Sequence, residues 1–104
     1  MASYKVDISQ STEQDVRDLI RYISLNLSAP QTAKEMLETI EKALEGLTTM
    51  PEIHPHVQDE ALALAGFRKL IIKNYIAFFI VDNKTKTVDV VRVLYSKRNW
   101  QHIL

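Results

Sequence analysis

Arg68, Lys69, Lys73, Arg92, Lys97 and Arg98 all follow Gly66, and the aromatic Trp100 stands beside the last two. Cations in such a pattern can hold phosphate oxygens, and a ring beside them can stack on a base. Each residue also has a plainer role. Arg92 alternates with Val91 and Val93 and so should face away from the core, to meet a partner or to be ordinary strand surface. Trp100 beside Lys97 and Arg98 either stacks on a target or plugs the hydrophobic core. Tyr75, Phe78 and Phe79 read as core or sheet-face aromatics, and Lys84 and Lys86 as solubilising charges at a hairpin tip.

Other chemistries find little support. His54 and His56 have the His-x-His spacing of a zinc site, with Asp59 and Glu60 nearby, but no third ligand is anchored elsewhere. Beside Pro51 and Pro55 they read as loop residues, and no metal or other cofactor is expected. The chain has no cysteine, which excludes disulfides and thiol nucleophiles, and its two glycines cannot build a phosphate-cradling loop. No Ser-His-Asp arrangement is recognisable.

The elements that must position these residues are legible from periodicity. Tyr4–Ile8 alternates as a short strand. Ser11 with Gln14 resembles a capping box, and Val16, Leu19, Ile20, Ile23 and Leu27 make one apolar helical stripe. Ser28-Ala29-Pro30-Gln31 starts a second helix, whose stripe is Ala33, Met36, Leu37, Ile40, Leu44 and Leu47. So little separates the two helices that they must form an antiparallel hairpin. From Thr48 to Ala65 the sequence predicts a long loop with a helical turn at Asp59–Leu64. Phe67–Ile72, Tyr75–Val81 and Thr87–Leu94 then read as strands joined by short turns, and the basic, aromatic tail Tyr95–Leu104 finishes with a short helix.

The 104 residues make one domain, large enough for a real core since 46% are apolar. The expected fold is α+β. An N-terminal strand and an antiparallel helical hairpin precede three strands, the hairpin packs on one face of a twisted antiparallel sheet, and the other face and the tail carry the basic residues. The net charge of zero conceals an asymmetry: Met1–Ala65 holds five Lys/Arg against eleven Asp/Glu, and Gly66–Leu104 eight against two. An acidic and a basic surface with separate jobs would follow. With no signal-peptide layout and no membrane-length apolar run, a cytoplasmic location is expected and a membrane partner is not.

In order and over essentially the whole chain, several short segments resemble the RelE/ParE superfamily of toxins from type II toxin–antitoxin systems. They are Tyr4–Ser9, Met50-Pro51-Glu52, Gly66–Leu70, Asn74–Phe79 and Val91–Trp100. The resemblance implies an antitoxin partner that wraps the toxin and masks its basic surface. It also implies one of two targets. RelE-like members cut messenger RNA on the ribosome without metal, and ParE-like members poison DNA gyrase. RNA cleavage needs a base for the 2′-hydroxyl, cations for the phosphorane and an acid for the leaving oxygen. Arg98 matches the arginine after the last strand in both branches, and Lys69 and Lys73 lie near lysines or acids of the RelE-like second strand. A nuclease would therefore use Arg98, Lys69 and Tyr95, with His102 another possible donor. Against it, RelE-like members carry an arginine early in the central strand, in words like Gly-Tyr-Arg-Leu, and Ile76 stands there in Asn74-Tyr75-Ile76-Ala77. The ending Val91–Trp100 is nearer the ParE style. Target binding is expected from Arg68, Lys69, Lys73, Arg92, Lys97, Arg98 and Trp100. A gyrase poison, a ribosome-dependent mRNA endonuclease and a non-toxic nucleic-acid-binding or scaffold domain are the three readings to be weighed.

Overall fold

The computed structural model describes residues 3–104. β1 (Lys5–Ile8) leads into α1 (Gln10–Arg21), which continues as a π-helical turn over Tyr22–Asn26; α2 (Pro30–Glu45) folds back along it. Short 3₁₀ turns at Gly46–Thr48 and Pro51–Ile53 lead to α3 (Glu60–Leu64). β2 (Arg68–Ile72), β3 (Tyr75–Asp82) and β4 (Thr87–Tyr95) follow, and a 3₁₀ turn at Trp100–His102 ends the chain. The α+β architecture and the helical hairpin against a sheet are as the periodicity implied.

The sheet order is β1-β4-β3-β2. β2, β3 and β4 form an antiparallel meander, whereas β1 pairs parallel to β4, with Val6 opposite Val88 and Ile8 opposite Val90. The helical hairpin carries the chain from β1 across the sheet to β2 at the opposite edge. Its stripes meet one sheet face: Ile40, Leu44 and Leu47 pack with Ala77, Phe79, Val88, Val90 and Val93, and Val16, Leu19 and Met36 join from the side.

The opposite face is largely apolar, contrary to the sequence expectation, although Lys69 falls on it opposite Phe78. Ile76, Phe78 and Leu94 form a second apolar cluster there with Val57, and Leu62, Ala63 and Phe67 around α3 and Trp100, Ile103 and Leu104 of the tail pack over it. Phe78 and Phe79 point to opposite faces and are both fully buried. A strand covered on both sides has no wet face to alternate with, which explains the nearly unbroken apolar run of β3.

Local signals were displaced in two places. Ser9, not Ser11, caps α1, its Oγ accepting from the Thr12 N–H at 3.0 Å. Ser28 adopts φ 50° and does not cap α2, which begins at Pro30 with no side-chain cap. The π turn also carries Leu27 out of the predicted stripe into solvent, while Ile23 stays buried.

Candidate functional site

β1 ends opposite Val90, so β4 runs on with an open edge, and unpaired backbone groups there need partners. The first turns of α1 supply them. Ser9 N–H and Thr12 Oγ1 donate to the Val90 carbonyl at 3.1 and 3.0 Å, Ser9 Oγ donates to the Val91 carbonyl at 2.8 Å, and the Val93 N–H donates to Asp15 Oδ2 at 3.0 Å. At Val91 the strand also bulges, since Phe78 faces Arg92 and Phe79 faces Val90. The extra residue shifts the alternation by one, so Val90 and Val93 both reach the helix-side core.

Arg92 is re-aimed by that bulge into a fork-to-fork pair with Asp15, Nε to Oδ2 and Nη2 to Oδ1, both at 2.7 Å. The side chains are 23% and 10% exposed. The Asp15 hydrogen bonds, the largest influence on Arg92, hold its guanidinium charged even beyond its usual range, against the opposing effect of burial. Arg92 therefore holds α1 to β4. Arg68 is likewise engaged, donating to the carbonyls of Glu52 and His54 at 3.2 and 2.7 Å and facing the Glu52 carboxylate at 3.8 Å.

Beyond Val93 the geometry changes. The C-terminal half of α1 and the ends of β3 and β4 part to leave a cleft of about 220 Å³, lined by Asp15, Asp18, Leu19, Tyr22, Tyr75, Tyr95 and Arg98 among others. Tyr75 and Tyr95 are cross-strand partners whose rings meet edge to face, 5.8 Å between centroids. Burial first, then the neighbouring Tyr95 and Tyr22 phenols, push the Tyr75 hydroxyl above its ordinary value. It therefore stays a neutral donor at physiological pH. Among the described residues Arg98 makes no ion pair. The turn that carries it is fixed by Ser96 N–H donating to the Asn74 carbonyl at 2.9 Å and Arg98 N–H to the Tyr95 carbonyl at 3.0 Å. That first bond brings the β2–β3 turn, with Lys73 at φ 56°, to the same end of the sheet as Lys97 and Arg98.

The expected catalytic group is not assembled. Tyr95 and Arg98 share the cleft, but Lys69 pairs with Phe78 on the opposite sheet face. It lies two strands across and three residues along from Tyr95, roughly 10 Å in each direction. Ile76, where a nuclease of the resembling family carries its arginine, is only 9% exposed within the second apolar cluster. Trp100 packs on Phe78 with ring centroids 5.1 Å apart, so its ring closes that cluster. His102 is on the exposed terminal turn, away from the cleft lining. His54 stands edge-on to Phe79 at 5.9 Å, and burial, with Arg68 adding to it, lowers its affinity for a proton. No group of His, Asp and Glu side chains suited to a metal occurs among the described residues. The sequence reading missed Tyr22 and Asp18, which lie on the wet side of a helix and carry no local signal.

A sequence profile for the ParE toxin of the type II toxin–antitoxin system parDE matches residues 6–100. This chain belongs to the ParE toxin family. As a ParE-family protein it is the toxin component of a type II toxin–antitoxin system. Its fold is similar to that in the chromosomal ParDE system of Pseudomonas aeruginosa, at TM-score 0.72 and 16% identity over 93% of this chain and 100% of that one. It is also similar to the RelBE2 toxin–antitoxin complex of Mycobacterium tuberculosis, at TM-score 0.61 and 18% identity over 89% and 98%. A RelE toxin mutant of Escherichia coli in the free state aligns at TM-score 0.63 and 13% identity over 97% and 92%. No curated protein matches the sequence. No helix among the described residues is long and apolar enough to cross a membrane.

Proposed function

We propose that this ParE-family toxin poisons DNA gyrase through the cleft at Arg98 and does not cut RNA. One observation carries the reading: the sheet face that a nuclease would need cationic is an apolar cluster around Ile76, closed by α3 and the Trp100 tail. A largely apolar face of that kind, with Lys69 on its edge strand β2, offers little of the preorganised positive charge that a phosphorane needs. Arg92 and Arg68 cannot replace it, because both guanidinium groups are bound within the fold. What the reading assigns to a target is the end of the sheet where Arg98 lines the tyrosine cleft and Lys73 and Lys97 lie nearby. A poison needs only to bind there and hold its target in one state.

The partner that restrains it is a cognate antitoxin, as the toxin–antitoxin complexes of similar fold support. An acidic antitoxin segment over the cationic end would block the target, and its affinity would fall with salt.

Purified gyrase and plasmid DNA test the reading. With the toxin added, protein-linked DNA breaks accumulate, and antitoxin suppresses them. Intact DNA, together with cuts phased to codons in a purified translation system, would replace it with the ribosome-dependent nuclease.

A further inference from the structure

The cleft at Arg98 is more specific than a cationic patch. Beside Leu19, Val93 and Leu94, its lining has three tyrosines from three elements: Tyr22 from the turn after α1, Tyr75 from β3 and Tyr95 from β4. With about 220 Å³ it lies below the range of sites that enclose a drug-sized molecule, and so takes one planar group. Its charges nearly cancel. Asp15 is neutralised by Arg92, with both carboxylate oxygens already accepting. Asp18 and Arg98 remain, one acceptor and one donor. Asp18 Oδ1 takes a hydrogen bond from Gln14 Nε2 at 2.7 Å, leaving Oδ2 for a ligand.

A neutral cleft walled by aromatic rings, with one charged acceptor and one charged donor, suits neither a simple anion nor a simple cation. It suits a planar heterocycle whose edge both donates and accepts. Outside it, Lys73 and Lys97 stand at the same end of the sheet, where a sugar-phosphate backbone leaving the cleft would pass. Aromatic stacking inside with cations along the exit is how proteins hold unpaired strands.

We propose that the Tyr22–Tyr75–Tyr95 cleft receives a single unpaired base of a nucleic-acid strand, stacked among the tyrosines. Asp18 and Arg98 read its edge, and Lys73 and Lys97 hold the flanking phosphates. Guanine suits the pair, because it presents an amino donor for Asp18 and the O6 and N7 acceptors that arginine takes in a bidentate contact. A duplex base cannot enter without leaving its stack. The cleft therefore selects strands already opened. This inference rests on the reading of the Arg98 cleft as the working site.

Equilibrium binding of the purified toxin to short oligothymidylate strands tests it. One strand carries a single central guanine, another an adenine, a third an abasic position, and an RNA version of the first separates the two sources of an unpaired strand. The guanine strand should bind about tenfold more tightly than the abasic one, the scale of one stacked base. Tyr95→Ala should remove that difference. Asp18→Asn, at an exposed position, should keep the preference over the abasic strand and lose most of the preference over adenine. Equal affinity for guanine and abasic strands would overturn the proposal and leave the cations as plain phosphate contacts. Binding only to a gyrase peptide or subunit, with none to any strand, would overturn it in favour of a protein partner. If gyrase breaks accumulate while the strands bind equally, base capture fails and gyrase poisoning stands. Base capture without gyrase breaks would reverse that outcome.

Discussion

Arg92 and Arg98 lie six residues apart in a basic stretch of one sequence, and the fold uses them in opposite ways. Arg92 sits where β4 outruns β1, and Asp15 reaches across from α1 to meet its guanidinium with both oxygens. Arg98 sits one turn past the strand, exposed, at the mouth of a cleft. A half-buried arginine left alone would be costly, so the fold supplies a carboxylate and gains an anchor between helix and sheet. A solvated arginine costs the fold nothing and stays available to a partner. Positive charge in a sequence is therefore no guide to function until the partner of each cation is known.

That contrast can be broken by substitution. Arg92→Ala leaves Asp15 facing the strand edge without its cation and should lower unfolding stability by about 3 kcal/mol, read from denaturant midpoints. If that variant is as stable as the parent, Arg92 is free surface and belongs with Arg98. Trp100→Ala uncovers Phe78 and should cost about 2 kcal/mol, less than a fully buried ring, because the indole is only partly enclosed. Loss of target binding with unchanged stability would instead return Trp100 to the working surface. Thr12→Val keeps the shape of the helix–strand seam and removes the hydrogen bond to Val90, for about 1 kcal/mol in thermal or chemical unfolding.

The smallest effect concerns His54. Its proton affinity is lower in the fold than the ordinary 6.5, so the unfolded chain binds the proton more readily. Its contribution is therefore present above about pH 6.5 and is lost as pH falls through and below that value. Between about pH 8 and pH 5 the wild type should lose more stability than His54→Gln. Parallel curves for the two proteins would remove the effect.

Most of the scaffold was legible because burial writes a period into the chain. The stripes of both helices, the meander of three strands and the turn capped by Asp59 all follow from local pattern. What failed was non-local. Nothing in Tyr4–Ile8 says that it joins the far edge of the sheet parallel to β4. Ser9 and Ser11 are equivalent as caps in sequence, but only Ser9 in the fold also reaches the Val91 carbonyl. Alternation set Arg92 off the helix-side core, as its register opposite Phe78 has it, but nothing in residue type foretold that Asp15 would reach its guanidinium from α1. The apolar second face was hidden because its cover comes from α3 and the tail, both short and irregular. The cleft joins residues from three separated segments, and only Tyr95 and Arg98 of its members stood out beforehand.

Growth arrest on induction of the toxin without antitoxin tests the central claim most directly, comparing the wild type with Arg98→Ala at equal levels of folded protein. The Arg98 cleft as working site predicts that Arg98→Ala abolishes arrest while its unfolding stability stays within about 0.5 kcal/mol of the parent, as expected for an exposed side chain. Full toxicity from a folded Arg98→Ala protein would contradict it and move the working surface elsewhere on the molecule.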